Sequence, residues 1–482
     1  MLYLCSRFKT IYFMIKLNET PATGALGGVN GSESQSSQVM NNNVVLPDLP
    51  FIDKEEVAED EAQNQPPAMP TELPPLVELL LSCTPDIYKP AVACGIFPPL
   101  SVHLSDVHFR YVDNVDHEAT LMCVLMAGSG SGKDCVNRPI RHIMQDIYAR
   151  DAISRQIEKK WKQDYKKTAF NKPKPERPKN IIIQEVGADM TIPTLVQRLN
   201  DAAPYFLYTS LNEIEGFDQL KSGGQSQAFQ IIKINFDPEI RWGQDRIGLD
   251  GVSEKVFVRF NWNASTTIDR GMNFFRKVVN DGPVSRINFC TIPQQPIGAD
   301  LIPYGIYPED FAEQLRPYLK NLTDAKGLIL IPEATQLAWQ LVKYNHREAS
   351  LSQSEVYDDL SKRAAVIAWL KACLLYVAQG NQWDERIEEF CWWSMKYDMW
   401  CKMTFFGQLY EQARKQSVFT PYRPGNMLSF LNDIFTREDL KQVYASRGKQ
   451  ANNKQISKML TTWAQRNYIE RLPDGRFRKV LA

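Results

Sequence analysis

Residues 126–135 read MAGSGSGKDC, and glycines, serines and a lysine in that order suit phosphate. Backbone N–H groups ahead of a helix can point at phosphate oxygens, glycine lets the chain approach closely, and a lysine neutralises the β/γ oxygens of a nucleotide. The residues expected to hold ATP are Ala127, Gly128, Ser129, Gly130, Ser131, Gly132, Lys133 and Asp134. Two of them depart from the usual G-x-x-x-x-G-K-[ST] string. Ala127 stands at the first position, and Asp134 stands where a hydroxyl would hold magnesium.

A site of this kind also takes an acidic residue from the end of a neighbouring strand. The segment YFLYTSLNEIEGF supplies Asn212 and Glu213 after an apolar run. Glu213 is expected to orient the attacking water as a general base. Asn212 falls where magnesium chemistry usually takes an aspartate. One carboxylate is thus lost and one gained, and the two positions normally face each other across the ion. The expectation is an exchange of roles at Mg2+, with Asp134 supplying the charge and Asn212 the neutral polar partner. The strand VFVRFNWNASTT is expected to end at Asn261 and Asn263, with Asn263 sensing the γ-phosphate. NDGPVSRINF offers Arg286, which could stabilise phosphoryl charge in its own site or in a neighbouring subunit's. Each of these three also reads as an ordinary polar group.

Elements of alternating type must position these residues. ATLMCVLMAG is nearly all apolar, as a strand buried on both faces should be. GSGSGK follows it, and VNRPIRHIMQDIYARDAISRQI then reads as a helix, the context a phosphate loop requires. IIIQEVG, PYFLYTSL and KVFVRFNWNAS have strand length, with helical patterns such as IPTLVQRLNDA between them, so a parallel α/β sheet is expected over residues 76–305. Residues 306–425 read as helical, their Trp and Met clusters as core. In residues 426–482, two helices and the hairpin YIERLPDGRFRKV suggest a winged helix. Residues 1–75, rich in Gly, Ser, Gln, Pro and acids, are expected to be a disordered arm.

MAGSGSGKD, GADMTIPTLVQRL, LNEIEGF, RFNWNASTT and DGPVSRINF together resemble a family of P-loop ATPases of bacterial mobile elements and phages, described as primase- or replicative-helicase-associated. The resemblance covers roughly residues 76–410. Asp189, Thr191 and Leu195 carry one of its elements, and Gly282, Ser285 and Arg286 another. It implies a RecA-like ATPase core and a role in replication or mobilisation, with replication proteins as partners. Primase activity is not implied, because only a short arm precedes the core.

Charge is balanced overall, 56 basic against 56 acidic residues, so partners must be read from local asymmetry. Residues 155–179 hold ten Lys/Arg against three acids, and residues 440–482 hold ten against two. Lys454, Lys458, Arg466, Arg476 and Arg478 of the second region would face single- or double-stranded DNA if the winged helix binds it. The first reads either as a solvated charged helix or as a phosphate-backbone contact. His103, His108 and His117 fit no metal-ligand spacing. Nine cysteines without a CxxC pair point to a reducing, cytoplasmic compartment, and no segment is long and apolar enough for a membrane. Met14 also reads as a start, and the first residues do not form a signal peptide. The composite expectation is a helicase-like, homo-oligomeric ATPase acting on DNA. Its alternatives are a nucleotide-gated DNA-binding regulator with little turnover and a small-molecule kinase, which the terminal unit disfavours.

Overall fold

Four parallel strands carry the loop and the residues around it. They are β1 (Met122–Ala127), β2 (Leu207–Leu211), β3 (Phe260–Thr267) and β4 (Asn288–Cys290), in the spatial order β4-β1-β3-β2. The computed structural model describes residues 65–169, 171–187, 189–222, 225–226, 228–237, 240–244, 254–279, 282–352, 354–418, 428–446, 452–465 and 468–480. β1 is apolar and buried at every position because it has a neighbour on each side and helices above and below. Beyond β2, Glu185 bridges in parallel to Tyr208 and extends the sheet. β1 and β2 are therefore not neighbours, since β3 runs between them.

The chain after the glycine loop does not form one helix. It makes a 3-10 turn at Lys133–Val136, a helix at Asn137–Ile143 and then α1 (Gln145–Lys167). Pro139 has no N–H to give a helix interior, and it is accommodated in the first turn of Asn137–Ile143. Asp151 joins α1 to the sheet. Its Oδ2 accepts from the amides of Gln184 and Glu185 at 2.9 and 2.7 Å. Burial raises its carboxyl above the usual range, and those two amides oppose the shift.

The helices expected over 306–425 include α2 (Glu355–Ala378) and α3 (Glu385–Val418). They share one hydrophobic core with the sheet, without a break at 305/306. Phe289 of β4 stacks edge-on against Phe406 at 5.0 Å, and Phe97 packs on Phe390 at 5.7 Å. Pro67 lies in the stretch expected to be disordered, yet its carbonyl accepts from Trp393 Nε1 at 3.1 Å. The rest of that arm, residues 1–64, lies outside the described residues. No described helix is long and apolar enough to cross a membrane.

β4 is the outer strand, and α3 satisfies its exposed side. Asp398 Oδ1 accepts from Phe289 N at 2.8 Å, and Lys402 Nζ lies 2.7 Å from Asp398 Oδ2 and 3.3 Å from the Ser285 carbonyl. Both side chains are essentially inaccessible, at 2% and 0% exposure. Burial lowers the Lys402 ammonium from its ordinary range, against the pull of Asp398. Lys371 of α2 donates to Asn288 Oδ1 at 2.6 Å and Ser394 Oγ at 2.7 Å. Buried charges survive only when paired and hydrogen-bonded, and here the pairing fastens the helices to the strand.

Residues 428–480 have a core of their own, made by Leu431, Phe435, Leu440, Ile456, Leu460, Ile469 and Phe477. Helices Arg437–Ser446 and Asn453–Gln465 precede a hairpin of Ile469–Arg471 and Phe477–Lys479, to which Ile434–Phe435 adds a third strand. Both helices begin with reciprocal caps, Thr436 with Asp439 and Asn452 with Gln455.

Asp398→Ala should destabilise the chain by about 3–5 kcal/mol, because it strands Lys402 and orphans the Phe289 amide. The double change Asp398→Leu, Lys402→Met should recover much of that loss. Denaturant unfolding of the three proteins measures both effects.

Candidate functional site

The loop leaving β1 turns through two glycines in the left-handed region, Gly130 at φ 71° and Gly132 at φ 79°. A Cβ at Gly132 would also stand 2.8 Å from Tyr88 Oη, so space and conformation both require glycine there. Gly128 is open, with nothing within 4 Å of where its Cβ would be. Ser131 Oγ donates to the Gly128 carbonyl at 2.9 Å, and Lys133 Nζ donates to the same oxygen at 2.7 Å. The lysine thus folds back over its own loop. Among the described residues, no acceptor takes a hydrogen bond from the amides of Ser129, Gly130, Ser131 or Gly132. Cys135 is the next side chain inward, and burial pushes its thiol up to about 12, which keeps it protonated and inert.

A polar relay ties the loop to β2 across the intervening strand. Asp134 Oδ1 accepts from Asn137 Nδ2 at 2.9 Å, and Asn137 Oδ1 accepts from Ser210 Oγ at 3.1 Å. Asn212 follows the end of β2 at Leu211, two residues after Ser210. Ser265 of β3 donates to the Asn212 carbonyl at 2.9 Å. Asp134, Asn212 and Glu213 are all exposed. The Glu213 carboxylate lies 3.2 Å from Arg270 Nη1, on the helix Ile268–Arg276 that follows β3. The relay residues Asn137 and Ser210, and the partner Arg270, escaped sequence reading. Only the spacing of Asn137 three residues after Asp134 hinted at a contact.

Register settles the level of each residue. Ala127 pairs with Thr267, so the end of β3 at Ser265–Thr267 lies level with the loop. Asn263 pairs with Cys123, four residues deeper than Thr267, because the strand continues through Ala264–Thr267. Its Nδ2 donates to the Gly95 carbonyl at 2.9 Å, and its Oδ1 accepts from Tyr208 Oη at 2.8 Å. Asn261 is likewise buried, accepting from Leu121 N and donating to Ser101 Oγ and the Ala119 carbonyl. Arg286 precedes β4, at the amino ends of the strands. It donates to the Gly282 carbonyl at 3.0 Å and lies 3.4 Å from Asp237 Oδ2. The length of β1, roughly 20 Å at 3.3 Å per residue, separates this edge from the loop of the same chain.

In the terminal unit, Lys454 and Lys458 are exposed on the side of their helix away from Ile456 and Leu460. Arg476 is held by Asp474, Nη2 to Oδ2 at 2.6 Å, and Arg478 Nη1 stands 4.0 Å from Glu470. Arg466 lies outside the described residues. The three histidines near residue 110 have separate surroundings. His103 Nε2 meets the Ile143 carbonyl at 2.9 Å, His108 lies 3.5 Å from Glu118, and His117 packs between Tyr111 and Trp369.

No family model matches the chain, and no curated protein does so. Among solved structures, the ORC2 protein of Aeropyrum pernix, in ADPNP–ADP complexes, aligns at 13% identity with a TM-score of 0.20, over 88% of this chain and 95% of that one. A Walker-type ATPase of Pyrococcus abyssi aligns at 11% identity with a TM-score of 0.16, over 74% of this chain and 88% of that one. At these TM-scores neither likeness adds to the geometry.

Asn263→Ala leaves the Gly95 carbonyl and the Tyr208 hydroxyl buried without their partner. A loss of stability of about 1–3 kcal/mol is expected, with nucleotide affinity of the folded protein unchanged. Denaturation and nucleotide titration of the one variant separate a structural amide from a phosphate sensor.

Proposed function

We propose that the chain is a P-loop ATPase that acts on DNA, a helicase-like protein of phage or mobile-element replication or mobilisation. The loop carries this reading: four free amides and a lysine stand at the carboxyl end of a central parallel strand. In open α/β sheets, ligands bind outside those ends. A RecA-like core is supported by the strand order, in which β3 separates the loop strand from the strand that leads to Glu213. The phosphates of ATP take Lys133 Nζ from the Gly128 carbonyl and receive the amides of Ser129–Gly132. Asp134 and Asn212, which both follow the carboxyl ends of their strands, are the residues that would hold Mg2+. The ion, when bound, neutralises charge on the β- and γ-oxygens. Glu213 orients water for attack once its carboxylate leaves Arg270.

Arg286 stands at the opposite edge from its own loop and is buried, so a phosphoryl role would be in a neighbouring subunit's site of a homo-oligomer and would require the guanidinium to leave Gly282 and Asp237. The terminal unit is read as a winged helix, with Lys454 and Lys458 of its second helix and Arg476 and Arg478 of the wing facing DNA; Arg466, the fifth residue of that reading, lies outside the described residues. A second reading, a nucleotide-gated DNA-binding regulator with little turnover, is favoured by the ion pair between Arg270 and Glu213.

ATP binding and hydrolysis, with and without DNA, test the proposal. Lys133→Ala should abolish ATP binding with the fold intact. Glu213→Gln should keep binding and slow hydrolysis by roughly 100-fold or more, the scale of a lost general base. A folded Lys133→Ala protein that binds ATP within a few-fold of the parent overturns the P-loop reading. Turnover near zero in the parent, unmoved by DNA, selects the regulator.

Mixing tests the trans arginine. Arg286→Ala and Lys133→Ala proteins should each be inactive alone. Together they should recover part of the hydrolysis, since one supplies the loop and the other the arginine. No recovery in mixtures shown to co-assemble removes Arg286 from the reaction.

A further inference from the structure

The basic region after the glycine loop has an order that composition does not explain. Among the described residues, none between Ile147 and Ile181 belongs to the hydrophobic core. The second half of α1 nevertheless continues to Lys167, and the returning chain is folded back upon it. Trp161 Nε1 donates to the Pro175 carbonyl at 3.0 Å, and Lys174 Nζ donates to the Thr168 carbonyl at 2.6 Å and the Tyr165 carbonyl at 3.1 Å. Arg177 pairs with Asp201 and with Glu158. The result is a projecting arm held in shape by polar contacts.

Its charges are sorted by face. Arg155 pairs with Glu185, and Glu158 is shared by Arg198, Lys162 and Arg177. Lys159, Lys160, Lys166 and Lys167 are exposed and have no ion-pair partner among the described residues, as do Lys172 and Lys179 on the returning chain. At 100° per residue, the four helical lysines fall within about 120° of one another, opposite the buried Asp151, Ser154 and Glu158. Gln156 and Gln163 lie between them on that face. The lysines span about 12 Å of helix axis, alongside which a DNA duplex presents roughly seven charges.

We propose that this lysine face binds the phosphate backbone of nucleic acid, as a second contact surface on the core and apart from the terminal unit. Lysine ammoniums are compact, mobile point charges, suited to sequence-independent backbone contact. An anionic membrane is the poorer fit, because a membrane-surface helix sets bulky apolar residues opposite its basic ones. Here Ile153, Ile157, Trp161 and Tyr165 do form an apolar stripe on the far side, but the returning chain engages Trp161 through the Pro175 carbonyl and Tyr165 through Lys174, and Ser154 and Glu158 beside them are buried against the protein. The proposal does not rest on ATP hydrolysis, although α1 connects the arm to the strand edge beside Glu185.

The test uses full-length protein with Lys159, Lys160, Lys166 and Lys167 all changed to Gln, and a second variant with all four changed to Arg. Fluorescence anisotropy is read with labelled single-stranded and duplex oligonucleotides across a salt series, and sedimentation with phosphatidylserine vesicles. ATP titration and the unfolding midpoint serve as controls and should match the parent. The Gln variant should bind at least one of the oligonucleotides about 10-fold or more weakly, with a log K against log salt slope shallower by about 3, the counterion release of four phosphates. The Arg variant should bind like the parent. Affinity and slope unchanged in the Gln variant overturn the proposal, and so does a loss confined to vesicles. Failure of Lys133→Ala to affect ATP binding, with the arm result intact, would count against the ATPase reading alone.

Discussion

Parallel pairing between Met122–Ala127 and Trp262–Thr267 fixes the height at which the candidate residues around the glycine loop sit. In a parallel sheet all strands finish at one edge, so loops far apart in sequence meet there. The glycine loop, Asn212, Glu213 and the end of β3 share that edge for this reason alone. The opposite edge collects what precedes the strands, and Arg286 is there. A change of register by one residue would turn Ser210 away from Asn137 and break the relay that spans the site.

The sheet keeps this register because its outer strand is anchored. β4 is three residues long, too short to hold its place by ladder hydrogen bonds alone. Asp398 takes its outward amide, Lys402 neutralises Asp398, and Lys371 holds Asn288. The helices are therefore part of the sheet's support. On the inner strand β3, Asn261 and Asn263 act similarly, bonding backbone groups of the segments beside it.

Much of this was legible in the residues. The glycine–lysine loop is visible because few chains need left-handed backbone and a cation together, and β1 because only a doubly covered strand is apolar throughout. Asn261 and Asn263 misled because polar side chains at a strand's apparent end suggest an opening to solvent, while Ala264–Thr267 carries the strand past them. Arg286 could not be placed, since its edge follows from strand direction. Asp398 and Lys402, four apart on a helix, gave no signal of their burial, because sequence spacing carries no information on which face is covered. The basic stretch 155–179 was plain in composition, but its folded shape depends on Trp161, Pro175 and Arg177, whose contacts lie in the tertiary structure.

Lys133 rests on the Gly128 carbonyl, so the loop arrives already carrying an internal competitor for its own cation. Ligand capture is then an exchange of one acceptor for another, not the gain of a new bond. A singly charged anion offers the lysine little more than the carbonyl does. A chain of adjoining phosphates, as the proposed nucleotide carries, would engage the ammonium and several loop amides at once. On the proposed reading, the resting geometry would filter anions by the number of groups they present, before any contact with base or sugar.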